Sequence, residues 1–196
     1  MNEKIKDFFN IISDDWDNSF DDYNVINDLL DEVDIKKGSI ILDAGCGKGV
    51  ITPLLQHRSN NKVIAIDIAD KMIDGAIKKY GDNPNYDFIC GDYYDYKFDI
   101  KFDYIVMYNC YPHFLDVEKL ELKTYDILND NGLFVIMHSL GRSELEKHHK
   151  NVFDISRSLL PAKEEGSLYK KHFDVIKTID EDKRYLIVLK RKEDIK

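Results

Sequence analysis

The sequence predicts an α/β fold: a doubly wound, mostly parallel seven-stranded sheet with an antiparallel C-terminal hairpin and helices on both faces. Three observations carry that expectation. From Ser39 onward, short runs rich in β-branched and aromatic residues alternate with amphipathic stretches, the pattern of a sheet whose strands are joined by helical crossovers. The runs are nearly continuous in apolar residues, as strands covered on both faces require. The last two, residues 173–179 and 184–189, are separated only by Asp180-Glu181-Asp182-Lys183, a spacing that suits a hairpin.

Residues 1–37 are acidic and aromatic, with Phe8, Phe9, Trp16, Phe20 and Tyr23, and read as one or two helices packed over a cleft. Five strands follow, at 40–43, 62–67, 86–90, 102–108 and 133–137. Helices are expected between and after them at 50–58, 69–80, 117–128 and 143–158, each long enough for the crossover that parallel strands need. Asp116 is placed to cap the third of these helices, and Asn129-Asp130-Asn131-Gly132 to end it in a left-handed turn. The expected organisation is a single domain over 1–196, with 1–37 as a helical cap and 38–196 as the core.

Composition narrows the function. A chain of 196 residues, 43% hydrophobic, has material for one substantial core. Its 28 basic residues against 37 acidic ones give a net charge of -9, which repels a phosphate backbone and argues against nucleic acid as substrate. The first residues are too charged for a signal peptide, and no apolar run approaches the roughly 20 residues of a membrane span. A soluble, cytoplasmic protein with no membrane partner is expected. Three cysteines, Cys46, Cys90 and Cys110, lack CxxC spacing and read as reduced thiols.

The chemistry concentrates at three expected strand ends. Gly45, Gly47 and Gly49 form a tight turn between the first strand and the following helix, where the missing Cβ atoms let a ligand approach the backbone. The spacing is GxGxG, whereas a dinucleotide fingerprint needs GxGxxG, which disfavours an NAD-dependent oxidoreductase. Asp43 lies two positions before the first glycine and suits an ammonium group. Asp67 ends the second strand 18 residues after Gly49, where a carboxylate can accept from ribose hydroxyls. Asp92 follows the third strand, so three neighbouring strands end in acid at the sheet edge where ligands bind.

On these residues the chain, from about Gly38 to Leu189, resembles the class I S-adenosylmethionine-dependent methyltransferases, with their Rossmann-like core. The family's nucleotide motif is matched by Ile41-Leu42-Asp43-Ala44-Gly45-Cys46-Gly47-Lys48-Gly49, its ribose-binding acid by Asp67, and its adenine contacts by Met72 and Asp92. Lys48 departs from the usual Thr or Ser. Phe102-Asp103-Tyr104-Ile105-Val106-Met107 and 128–137 look like the fourth and fifth motifs. The resemblance implies S-adenosyl-L-methionine as cofactor, held by Asp43, Gly45, Cys46, Gly47, Asp67, Ile68, Met72, Asp92, Tyr93 and Asn109.

The acceptor is expected beyond the fourth and fifth strands, between Tyr108-Asn109-Cys110-Tyr111-Pro112-His113-Phe114 and His138-Ser139-Leu140-Gly141-Arg142. Four of six histidines, His113, His138, His148 and His149, fall in or just after these segments. His113, His138 and Tyr111 are the candidate catalytic residues, since a histidine can take a proton from a nucleophile near neutral pH. A metal shared with Cys110 is the sharper alternative, and none is assigned. Arg142 could pair with a substrate carboxylate, though a surface ion pair is its ordinary role. The Asn/Asp-Pro-Pro-aromatic motif of nucleic-acid amine methyltransferases is absent, and Cys110 lacks the preceding Pro of cytosine-C5 enzymes. The resemblance is therefore closest to the small-molecule branch, including quinone-biosynthesis-like enzymes. A second reading is an adenosylmethionine-binding module that has lost catalysis and acts as a regulator or partner.

Overall fold

The computed structural model describes residues 2–16, 22–149 and 154–193. Phe20 lies outside them, as do the side chains of His148 and His149. Two helices come first, α1 (Asn2–Ile12) and α2 (Tyr23–Val33), the latter capped by the Asp22 carboxylate on the Asn24 amide at 2.9 Å. The alternating part then runs β1 (Ile41–Ala44), α3 (Thr52–Ser59), β2 (Val63–Asp67), α4 (Asp70–Tyr80), β3 (Tyr86–Cys90) and β4 (Phe102–Tyr108). A 3-10 turn over Tyr111–His113, α5 (Val117–Ile127), β5 (Leu128–His138), α6 (Arg142–His149), α7 (Ala162–Ser167), β6 (Phe173–Glu181) and β7 (Arg184–Arg191) complete it.

All seven strands form one sheet in the order β3-β2-β1-β4-β5-β7-β6, with β7 antiparallel to both β5 and β6. The doubly wound, mostly parallel sheet with a C-terminal hairpin is the fold the sequence predicts. Successive residues leave the sheet on opposite faces. Leu42, Ile105, Phe134 and Ile187 pack toward α5 and α7 through Leu120 and Ala162, while Ile41, Val106, Val135 and Val188 pack toward α2 and α3 through Leu29 and Leu55. The winding reverses between β1 and β4, which opens a crevice at their carboxyl ends.

Several boundaries differ from expectation for identifiable reasons. The expected third strand, 86–90, and the fourth, 102–108, are found unchanged, whereas β1 is shifted one residue to Ile41–Ala44. Asp116 caps α5 through the Lys119 amide at 2.9 Å, as its placement suggested. β5 starts at Leu128, five residues early, because Leu128 pairs with Phe102 and Leu133 with Tyr104, so that 129–132 bulge outward with Asn131 at φ 62°. The helix expected over 143–158 is not continuous. α6 stops at His149, and residues 156–161, which contain Pro161, carry no helix before α7, an element the sequence reading did not anticipate. No helix among the described residues is long and apolar enough to cross a membrane.

Candidate cofactor and acceptor cleft

The crevice between β1 and β4 widens into a cleft of about 1020 Å³ of empty space, its open mouth included. Its floor is the glycine turn after β1, where Gly45, Gly47 and Gly49 hold φ of 71°, 52° and 77°. Left-handed backbone at three alternate positions suits glycine alone. A Cβ at Gly47 would meet nothing within 4 Å, so the backbone there stands open to a ligand.

The three strand-end acids have distinct surroundings. Asp43 is fully buried and accepts from the Thr52 hydroxyl at 2.6 Å, tying β1 to the first turn of α3. Burial pushes its pKa up to about 7, with the nearby Asp67 charge adding to the rise and the Thr52 bond opposing it. Asp67 is half-buried. Its Oδ2 accepts from the Gly47 amide and its Oδ1 from the Ala69 amide, both at 2.9 Å, so it ties the end of β2 to the glycine turn. Burial raises its pKa and these amides pull it back. Asp92 accepts from the Tyr94 amide at 2.9 Å through Oδ1, while Oδ2 takes the Asn2 amide group from α1. Ile68 and Met72 supply apolar lining between the last two acids, and the buried Tyr93 closes the wall with its hydroxyl bonded to Thr124 at 2.8 Å.

α1 lies along the cleft with Ile5 and Phe9 on its inner side, and Trp16 follows at the mouth. It is fastened at its C-terminal end. Lys48 donates to the Ser13 carbonyl at 2.6 Å and the Trp16 carbonyl at 3.3 Å, while Asn10 bonds Asp70 at 2.8 Å and the Lys71 amide at 3.1 Å. The lysine that departs from the usual Thr or Ser therefore binds the end of the N-terminal helix to the glycine turn. Its stem lies 3.0 Å from where a Cβ at Gly75 would stand.

At the opposite end, Asn109 takes φ 52° and locks the ends of β4 and β5 together: its Oδ1 accepts from the Ser139 amide at 3.1 Å and its Nδ2 donates to the Ser139 hydroxyl at 3.0 Å. The Cys110 thiol donates to the Ala44 carbonyl at 3.1 Å and fills the space beside Gly45, where a Cβ would lie 2.7 Å from its sulfur. Burial, reinforced by Asp43 and Asp67, raises the pKa of both Cys110 and Cys46, which keeps them as thiols. His113 reaches the cleft, with Phe9 edge-on at 4.9 Å. Its Nδ1 lies 2.8 Å from the Ile155 carbonyl. A carbonyl has no proton to give, so Nδ1 is the ring nitrogen that carries a hydrogen toward it.

Two other candidate residues are not at the cleft. Tyr111 is fully buried with its hydroxyl 2.6 Å from Glu165 and 2.7 Å from the Tyr169 hydroxyl. His138 is fully buried as well, with the Tyr185 ring 6.0 Å away. Both point into the core because adjacent residues leave a strand or tight turn on opposite sides. Arg142 pairs with Glu146 at 3.5 Å and Asp180 at 3.8 Å, the surface role. Among the described residues no group of three His, Cys, Asp or Glu gathers at metal-binding range. The sequence reading did not single out Asn2 or Thr52, which line or brace the cleft.

A doubly wound sheet with a glycine turn and three acids at its switch point is the arrangement that the methyltransferase resemblance predicts. Residues 41–132 match the family model described as a methyltransferase domain. A malonyl-(acyl-carrier protein) O-methyltransferase 1 from Ilyobacter polytropus is 31% identical over 121 residues, covering 58% of this chain and 45% of that protein. The chain thus aligns with under half the length of that relative. A SAM-dependent methyltransferase from Aquifex aeolicus shares the fold at TM-score 0.69 and 17% identity, over 98% of this chain and 99% of the other. A DhpI–SAH complex does so at TM-score 0.75 and 15% identity, over 97% and 96%. Residues 41–132 thus match a methyltransferase domain, and the chain has the fold of these solved proteins; the cofactor that the resemblance implies is S-adenosylmethionine.

The residues present fit that group. Open backbone at Gly47, carboxylate acceptors at Asp67 and Asp92 and apolar lining from Ile68 and Met72 line one continuous cleft.

Proposed function

We propose that this chain transfers a methyl group to a small-molecule acceptor, with His113 as the group that takes the acceptor's proton. The observation that carries the reading is that one cleft joins the glycine turn and three strand-end acids at one end to His113, held by the Ile155 carbonyl, at the other. When bound, S-adenosylmethionine supplies an electrophilic methyl on a sulfonium, and in-line displacement leaves a thioether.

Asp67 and Asp92 hold the ribose and adenine ends, with Met72, Ile68 and Tyr93 packing beside them and Gly45, Cys46 and Gly47 offering backbone. Asp43, bonded to Thr52, and Asn109, bonded to Ser139, line the same cleft and brace its floor. Phe9, Trp16 and Phe114 give the cleft aromatic walls, and the Lys48 ammonium there is bonded to the Ser13 and Trp16 carbonyls just after α1. This lining supports an acceptor with an apolar or aromatic body and an ionisable O–H or N–H group. Neither Tyr111 nor His138 has a part in transfer.

The test uses methyl-labelled S-adenosylmethionine and a fractionated pool of small phenols, amines and carboxylic acids. The wild-type chain is expected to release adenosylhomocysteine with at least one fraction, and His113→Gln to slow that release by roughly 10²-fold while binding adenosylhomocysteine normally. Tight cofactor binding with no turnover on any fraction would favour the regulatory binding module instead.

A further inference from the structure

Behind the 3-10 turn that carries His113 lies a buried polar cluster that does not touch the cleft. Glu165 is fully buried on α7, and its carboxylate accepts three hydrogen bonds: from the Tyr111 hydroxyl at 2.6 Å, from Arg157 Nη2 at 2.6 Å and from the Leu160 amide at 2.9 Å. The Tyr111 and Tyr169 hydroxyls meet at 2.7 Å, and the Arg157 guanidinium sits 4.6 Å over the Tyr111 ring. Removing such a pair from water costs about as much as its attraction returns, so it contributes little net stability. What it does provide is a fixed geometry.

That geometry ends on the His113 turn. The Arg157 amide donates to the Pro112 carbonyl at 3.0 Å, and the Ile155 carbonyl accepts from His113 Nδ1 at 2.8 Å. Segment 155–157 therefore grips the turn at two successive residues, and Arg157 itself is anchored by Glu165. We propose that the Arg157–Glu165 pair, with Tyr111 and Tyr169, is a bracket that positions His113 and sets which of its ring nitrogens accepts a proton. Arg157, Glu165, Tyr111 and Tyr169 are positioning residues, acting on the cleft only through the Ile155 carbonyl and the main chain of the turn. The inference rests on the reading of His113 as the proton acceptor.

Burial opposes the Arg157 charge, yet the Glu165 carboxylate beside it holds the guanidinium pKa above its ordinary value, and burial raises the pKa of Tyr111 and Tyr169. Arg157 consequently stays charged and the two phenols neutral across the working range of a histidine.

The test reads the His113 ring directly, by nitrogen-15 NMR of the full chain at pH about 8, where an ordinary histidine is neutral. The wild-type ring is expected as the Nδ1–H tautomer. Arg157→Gln is expected to convert roughly a third or more of it to the Nε2–H form, while adenosylhomocysteine affinity changes by less than about threefold. Tyr111→Phe keeps the ring and its volume, so it preserves the fold if Arg157→Gln does not; it should shift the tautomer in the same direction by a smaller amount. A wild-type tautomer in folded Arg157→Gln, or in Tyr111→Phe if that alone folds, overturns the proposal, as does an Nε2–H ring in the wild type. Failure of the wild-type chain to bind adenosylhomocysteine would instead strike the methyltransferase reading, because the tautomer is measured without ligand.

Discussion

The two ends of the cleft are built from different materials. At the glycine turn, two of the acids work through the main chain over a short stretch of sequence, no more than 20 residues: Asp67 on the Gly47 and Ala69 amides, Asp92 on the Tyr94 amide. At the His113 turn, position depends on side chains far along the chain, with Glu165 reaching Tyr111 across 54 residues and Ile155 reaching His113 across 42. A site fixed by main-chain bonds needs a few residue types at fixed offsets. A site fixed by a remote side-chain network needs the whole fold first.

The two constructions meet at Gly45, where the Cys110 sulfur stands 2.7 Å from the position a Cβ would take and φ is 71°. Gly45→Ala should break both ends at once, lowering stability by roughly 2–4 kcal/mol in urea unfolding and abolishing cofactor binding in whatever remains folded. A variant as stable as the wild type would mean that the two ends are not joined there.

Asp43 sharpens the comparison with a smaller effect. Its pKa lies at about 7 in the folded chain, against an ordinary 3.8. Between these values the folded chain keeps a proton that the unfolded chain releases, so this group makes stability fall as pH rises through that window and adds no slope above it. Asp43→Asn retains an acceptor for Thr52 and should lose less stability than the wild type as pH rises from about 4 to about 7. Parallel pH curves for the two would show that burial of this acid does not set the slope.

The same contrast explains what the sequence disclosed. The alternation of elements, the hairpin at 173–189 and the Gly45–Gly47–Gly49 turn are local patterns, and each was legible as such. Asp43, Asp67 and Asp92 could be placed on one edge because a parallel sheet aligns its strand ends. Tyr111 and His138 were legible only as polar groups near the reactive edge; which way they face depends on packing against α7 and β7, and both face inward. α7 itself, with Glu165 in the charged run Lys163-Glu164-Glu165, looks like solvent-facing sequence, and only the tertiary fold buries it. Lys48 carried a signal, as a departure from Thr or Ser, but its partner α1 becomes visible only in three dimensions.

The central claim is that the acids at the glycine turn form an adenosylmethionine site. Calorimetric titration of adenosylhomocysteine into the wild-type chain and Asp67→Ala tests it most directly. The expected result is a micromolar dissociation constant for the wild type and a loss of roughly 30-fold or more in the variant, about 2 kcal/mol or above. No binding by the folded wild type, or equal binding by both, would contradict it.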